Sequence, residues 1–230
     1  MERERLVSEL AAAIDAAERD HPVRVAIDGV GASGKTFLAD ELAGALRRLG
    51  RDVVRASIDG FHRPREERYE RGSDSPEGYL DDSFDHAAVA RCVLEPLGPG
   101  GDRRYRTAVF DFRTDSAVNA PEHTAGSGAI LLFDGVFLLR DELRGFWDFA
   151  VFVDTGFDVT LARAMTRDIP LFGTAEATRE RYEKRYIPGE RLYLERCRPR
   201  ERADVVVGND EPADATLTWR DAGGRSGGTR

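Results

Sequence analysis

The sequence predicts an α/β fold, a parallel sheet with helices on both faces. Three observations predict it. Short apolar segments alternate with amphipathic ones along most of the 230 residues, the pattern of strand–helix–strand units. The first such unit carries a glycine-rich loop between its strand and its helix. Finally, Asp28, Asp59, Asp134 and Asp154 stand at the ends of apolar segments, and open parallel sheets bind ligands beyond the carboxyl ends of their strands.

The chain opens with charged Met1–Arg5, then Leu6, Val7, Leu10 and Ile14 at helical spacing. This predicts a helix over about 3–19, stopping before His21-Pro22. It has no apolar signal core, so it reads as part of a mature protein. Val23–Asp28 alternates and then runs apolar, as a buried strand does. Gly29-Val30-Gly31-Ala32-Ser33-Gly34-Lys35-Thr36 follows, then Phe37–Leu46 with helical periodicity.

That loop fits G-x-x-x-x-G-K-[ST], and a strand before it with a helix after it is the context the motif requires. A polyphosphate needs many donors at short range. Backbone N–H groups supply them where glycines let the chain come close, and the helix N-terminus adds partial positive charge. Gly29, Gly31, Ala32, Ser33, Gly34, Lys35 and Thr36 are therefore the candidate nucleotide-binding residues. Lys35 is expected at the β- and γ-phosphates and Thr36 at Mg²⁺. The loop says that a triphosphate binds, not what is done with it.

Asp52–Ile58 predicts a second strand, ending at Asp59-Gly60. Residues 60–82 break the pattern with charge and aromatics, and a segment of this length inside a compact domain is usually functional or disordered. Phe61, Tyr69 and Tyr79 argue against disorder. A helix is expected from Phe84-Asp85-His86 to about Leu94, and a strand or half a hairpin over Arg103–Phe112. Residues 113–128 read as a loop. Ala129–Phe133 is the strongest buried-strand signal, followed by a further strand at Phe149–Val153. Helices are expected over 158–168 and 175–197, the second interrupted near Pro188-Gly189, with a last strand at Ala203–Val207. The domain reading is an N-terminal helix over 1–20, a domain over 21–215 with a lid at about 170–200, and a disordered tail over 216–230.

Composition narrows the classes. A net charge of −8 argues against general nucleic-acid or anionic-membrane binding. No 18-residue apolar run exists to span a membrane. Cys92 and Cys197 sit in no metal or disulfide pattern, and a cytoplasmic protein with reduced thiols is expected. The sequence is compatible with a homo-oligomer without fixing the state.

An acid after the central strand is the usual partner of a phosphate loop, so Asp134 is the second candidate Mg²⁺ ligand beside Thr36. Transfer to an alcohol needs a carboxylate near the acceptor hydroxyl. Asp59 is placed for that, with the irregular aromatic segment starting beside it. Asp28 and Asp154 read as structural. Arg163 and Arg167 lie four apart on one helix face and are the candidate charge-stabilising arginines of the lid. The remaining arginines of 179–198 read as a solvated face paired with Glu180, Glu183, Glu190 and Glu195. His62, His86, Tyr69 and Tyr79 are placed to pack around a small acceptor.

Ser57-Ile58-Asp59-Gly60-Phe61-His62, Ser83-Phe84-Asp85-His86, Phe110-Asp111-Phe112, and Val153-Asp154-Thr155 leading to Arg163 and Arg167-Asp168 resemble the uridine kinase family. Its members are phosphate-loop kinases related to phosphoribulokinase and bacterial pantothenate kinase. The resemblance runs from about Val23 to Asn209. It implies the nucleoside-kinase version of the phosphate-loop NTPase fold, a five-stranded parallel sheet with a small hairpin over the acceptor. It also implies ATP and Mg²⁺ as cofactors, a small-molecule acceptor, Asp59 as the catalytic aspartate, Asp85 as a nucleoside contact with Phe84 beside the base, and His62 and Phe110 at the acceptor. Members taking uridine or cytidine commonly carry Tyr at the positions of His62 and Phe110, and His at that of Asp115. The expected reaction is phosphoryl transfer to the 5′-hydroxyl of uridine or cytidine, or to another small alcohol. A regulatory NTPase is the competing class, but the sequence has no Asn-Lys-x-Asp for guanine. A catalytically dead nucleotide binder is opposed by intact Lys35, Thr36, Asp59 and Asp134.

Overall fold

A computed structural model describes residues 1–220. Six strands form one sheet: β1 Val23–Gly29, β2 Val53–Ser57, β3 Ile130–Gly135, β4 Phe149–Asp154, β5 Val205–Gly208 and β6 Thr216–Trp219. Their order is β6-β5-β4-β1-β3-β2. All neighbours are parallel except β5 and β6. The expected five-stranded parallel sheet is therefore present, with one antiparallel edge strand added. Thr216–Trp219 had been grouped with the tail. Its alternation instead pairs with β5, and Leu217 packs against the core. The rest of the expected tail, 221–230, lies outside the described residues.

Alternate side chains of each strand face opposite layers. Val25 and Ile27, Ile130 and Leu132, and Val151 and Val153 pack with helices α1 (Arg3–Asp15) and α2 (Lys35–Arg48). Thus α1, expected as a separate leading helix, shares the core of the sheet. Ala26, Leu131, Phe133, Ala150 and Phe152 face the other layer, with Phe61, Phe84, Val89, Val93, Phe137 and Tyr193.

This alternation sorts the strand-end aspartates. Asp134 has the parity of Leu132 and points toward α2. Asp28 and Asp154 have the parity of Ala26 and Phe152 and point the other way. Asp154 accepts two hydrogen bonds from Arg200, at 2.6 and 2.7 Å, a structural pair as expected.

Between β2 and β3, Pro76–Asp82 forms α3. The expected strand at 103–112 is split: Arg104–Tyr105 pairs with His123–Thr124, and Phe110–Asp111 with Ser116–Ala117. The return strands lie in the stretch expected to be a loop. Beyond β4 come α4 (Phe157–Arg167), α5 (Ala175–Arg181) and α6 (Ile187–Cys197). A π turn at Tyr182–Tyr186 joins α5 to α6. The expected break near Pro188 is thus displaced one turn earlier. Proline is tolerated in a helix's first turn, where its missing N–H has no partner to lose. Among the described residues, no helix is long and apolar enough to cross a membrane, and both cysteines are free.

Candidate active site

The loop from Gly29 to Thr36 joins the buried end of β1 to the first turn of α2. Gly34 sits at φ +96°, where a Cβ would also lie 2.6 Å from Asn209 Nδ2. The Ser33 carbonyl accepts from Asn209 Nδ2 at 2.6 Å, Thr155 Oγ1 at 3.3 Å and Arg163 Nη1 at 3.4 Å. The loop is thereby fastened from behind by the ends of β4 and β5 and by α4. Ser33 Oγ is buried without a partner.

Lys35 Nζ donates to the Val30 carbonyl at 3.0 Å. Burial pulls its pKa down, against the nearby carboxylates of Glu190, Asp59 and Asp134, while Arg167 adds to the lowering. One ammonium therefore stands among three acids from three parts of the chain. Thr36 Oγ1 donates to Asp134 Oδ2 at 2.7 Å, as the parity of β3 requires, and Arg55 lies 3.0 Å from Asp134 Oδ1. A hydroxyl and a carboxylate are oxygen ligands of the kind Mg²⁺ takes, and Mg²⁺ commonly relies on one or two such groups plus phosphates. Among the described residues, no three His, Cys, Asp or Glu side chains converge as a self-sufficient metal site.

Asp59 lies on a 3₁₀ turn, Ile58–Phe61. Gly135 lets that turn sit down on the sheet, since a Cβ there would come 2.5 Å from Ile58 Cγ2. The Asp59 side chain is exposed. His62 Nδ1 lies 3.0 Å from the Asp59 carbonyl oxygen. The His62 ring packs on Phe84 and Phe112, at 4.5 and 4.8 Å. Burial lowers its pKa, against the pull of Asp59.

Beside this turn opens a cavity of about 280 Å³, lined by His62, Arg63, Pro64, Glu67, Asp85, Val109 and Phe110. Three of the four expected acceptor residues line it. Phe84 does not: it is 2% exposed and stacked between His62 and Phe137. Asp85 also caps the following helix through Ala88 N, at 2.9 Å. Asp115, at φ 51°, accepts from Arg65 N at 2.9 Å and Arg68 Nη2 at 2.8 Å. Its carboxylate is engaged outside the cavity.

The two expected lid arginines are used differently. Besides its contact with Ser33, Arg163 donates to the Asn209 and Asp210 carbonyls, each at 2.8 Å. Arg167 pairs with Asp168 at 2.7 and 2.9 Å, and Tyr182 joins that carboxylate at 2.6 Å. Arg167 is the one electrostatically felt by Lys35.

Three residues of 179–198, a stretch expected to be a solvated face, are buried instead: Arg185, Glu190 and Tyr193. Glu190, grouped there with exposed acids, is 1% exposed, and its Oε1 accepts from Gly31 N at 2.6 Å. Burial pushes its pKa up to about 7. Tyr193, one turn on, donates to Asp28 and accepts from Leu139 N at 3.0 Å. Arg185 is buried and donates to the Arg68, Gly72, Ser73 and Ser75 carbonyls at 2.9 to 3.3 Å, with Tyr69 4.8 Å away. The only signal was spacing: Glu190 and Tyr193 are three apart, on one face of a helix.

Residues 25–211 match the Phosphoribulokinase / Uridine kinase family. The chain belongs to this family. Uridine-cytidine kinase B of Dictyostelium discoideum is 32% identical over 197 residues, covering 81% of this chain and 74% of that protein. The uridine kinase of Tolumonas auensis is 28% identical, over 80% and 86%. A solved structure described as a possible uridine kinase from Bacillus stearothermophilus superposes with a TM-score of 0.69 at 25% identity, covering 87% and 96%. D-glycerate 3-kinase from Cryptococcus neoformans shares the fold, with a TM-score of 0.63 at 14% identity over 94% and 97%. The protein is thus a phosphoribulokinase/uridine kinase family enzyme, an ATP-dependent kinase of a nucleoside or other small molecule.

Proposed function

We propose that this kinase transfers the γ-phosphoryl group of ATP to the 5′-hydroxyl of uridine or cytidine, with Asp59 as the base. One observation carries the reading. Asp59 is one of the three acids that act on Lys35, and its backbone carbonyl lies 3.0 Å from Nδ1 of His62, which lines the cavity, so this residue links the donor loop with the acceptor side. An acceptor seated in the cavity hydrogen-bonds Asp59 through its hydroxyl. As the oxygen attacks phosphorus, Asp59 takes the proton and ADP leaves.

The loop fits its nucleotide. Ser33 Oγ is buried and unpartnered, and Gly34 allows the φ of +96° and the close approach of Asn209 that hold the loop's turn. Lys35 neutralises charge on the transferring group. Arg167 adds positive charge from the lid side. Arg163 acts through the Ser33 carbonyl, holding the loop's shape. Thr36 and Asp134 would hold Mg²⁺, which would supply positive charge to offset that of the phosphates. Free thiols suit a reducing cytoplasmic setting.

A second reading has its own support. The positions where pyrimidine-specific relatives place polar base contacts are here Phe110, which offers no phenol, and Asp115, which is committed to Arg65 and Arg68. Charged Arg63 and Glu67 also line the cavity. These walls favour a small alcohol other than a pyrimidine nucleoside on this reading. Release of ADP, followed over uridine, cytidine, other nucleosides, pantothenate and small polyols with mass analysis of the product, decides. Turnover of uridine or cytidine supports the first reading. Inert pyrimidine nucleosides with another alcohol phosphorylated establish the second.

A further inference from the structure

A carboxylate occupies the phosphate loop. Glu190 reaches from α6 to the Gly31 N–H at 2.6 Å, and backbone amides of this loop are the donors a triphosphate uses. It also lies close enough to Lys35 to be the largest acidic influence on it. Its other oxygen, Oε2, is buried without a hydrogen-bond partner, an arrangement that costs free energy, although the Tyr79 side chain acts on this carboxylate. Glu190 and a phosphate compete for the Gly31 N–H, and when Glu190 is ionised the two anions also repel each other beside Lys35.

Helix α6 is also joined to the acceptor side. Gly189 packs against α3 so closely that a Cβ would lie 2.8 Å from the Pro76 carbonyl and 2.9 Å from Tyr79 Cδ1. One helical turn earlier, Arg185 is hydrogen-bonded to four backbone carbonyls between Arg68 and Ser75. Residues 68–82 and the 182–197 segment are therefore mechanically one unit. Tyr193, on the same face of α6 as Glu190, holds Asp28 just before the loop. A shift of Glu190 out of the cradle moves a helix that also walls the acceptor segment.

We propose that Glu190 is a phosphate surrogate that fills the loop of the nucleotide-free enzyme, and that the incoming triphosphate displaces it and thereby repositions the acceptor-side segment 68–82. Glu190 is on this view a positioning residue, acting on the acceptor through α6 and α3. The inference rests on the assignment of ATP to the Gly29–Thr36 loop and is independent of which alcohol is phosphorylated.

The test uses binding and exchange rather than turnover. ATP and adenosine are titrated by calorimetry into the wild-type chain, Glu190→Gln and Glu190→Ala, without acceptor. Backbone hydrogen exchange of residues 68–82 is followed with and without ATP. Removing the competing charge is expected to tighten ATP about tenfold and to leave adenosine unchanged, because adenosine has no phosphate to compete. Exchange in 68–82 is expected to change on adding ATP to the wild type, and to show the ATP-like pattern in nucleotide-free Glu190→Ala. Glu190→Gln keeps the side-chain shape, so a folding failure of the alanine variant leaves the affinity comparison intact. Equal or weaker ATP binding by both variants overturns the proposal, and so does a segment 68–82 indifferent to ATP. If no form binds ATP, the kinase reading fails with it. If ATP binds but pyrimidine nucleosides are inert, only the acceptor assignment falls.

Discussion

Replacing Asp28 by Asn should make the protein more stable near neutral pH, by an amount the site itself sets. Asp28 ends β1 on the layer of Tyr193, fully buried. It accepts from the Tyr193 hydroxyl, from Gly29 N at 2.8 Å and from Leu138 N at 3.3 Å. These hydrogen bonds favour the carboxylate, yet burial outweighs them and raises its pKa from 3.8 to about 6. Between those values the folded chain holds a proton that the unfolded chain has lost. The associated stability is complete below pH 3.8 and is lost as pH rises through 6. At about 1.4 kcal/mol for each tenfold in the proton equilibrium, the loss is about 3 kcal/mol.

An asparagine cannot ionise. Its Oδ1 keeps the Gly29 and Leu138 donors, and its amide can donate to the Tyr193 oxygen. Urea unfolding of both proteins at pH 4.5, 5.5, 6.5 and 7.5 gives the stability difference directly. The variant's advantage should grow by about 2 kcal/mol across that range. His86, whose pKa burial lowers to about 4, contributes the opposite trend: its stability is present above about 6.5 and fades as pH falls through 4. It is common to both proteins and drops out of the difference. A difference that is flat with pH, or that shrinks toward pH 7.5, would show that Tyr193 and the two amides outweigh burial and would refute the reasoning.

Further outcomes follow from the same geometry. Asp59→Asn should slow transfer about a thousandfold while calorimetry shows ATP binding unchanged; near wild-type turnover would remove Asp59 as the base. Thr36→Ala should raise the Mg²⁺ concentration for half-maximal activity about tenfold, since one of two protein ligands goes, and an unchanged Mg²⁺ dependence counts against that pair. Arg185→Met should cost about 2 kcal/mol by removing the donor shared by four partly buried carbonyls. Hydrogen exchange should then rise first in residues 68–75, and exchange that rises evenly through the chain would contradict the anchoring role.

The donor half of the site was legible because local pattern dictates it. A strand, the glycine loop and a helix fix where Lys35 and Thr36 stand, and the period of β3 carries Asp134 to Thr36. Much of the fold followed from the same alternation. Three things did not. Thr216–Trp219 has strand-like alternation, but only pairing with β5 makes it a strand, and that partner is distant information. Phe84 was expected at the acceptor, and the burial that places it beneath His62 comes from Phe137, more than fifty residues away in sequence. Glu190 shared its composition and spacing with the exposed acids of its helix. What separates it is which face of α6 meets the loop, and tertiary packing alone decides that.

The π turn at Tyr182–Tyr186 has a consequence for this site. Such a turn holds one residue more than an α-helix would in the same span, which is how a single inserted codon is absorbed without breaking a helix. Each residue of helix advances the face by about 100°. The π turn takes up that step, so Glu190 faces the Gly31 amide; the same number of residues wound as uninterrupted α-helix would turn another side chain toward it. The chemistry at the mouth of the phosphate loop therefore depends on a helical register set some 150 residues downstream.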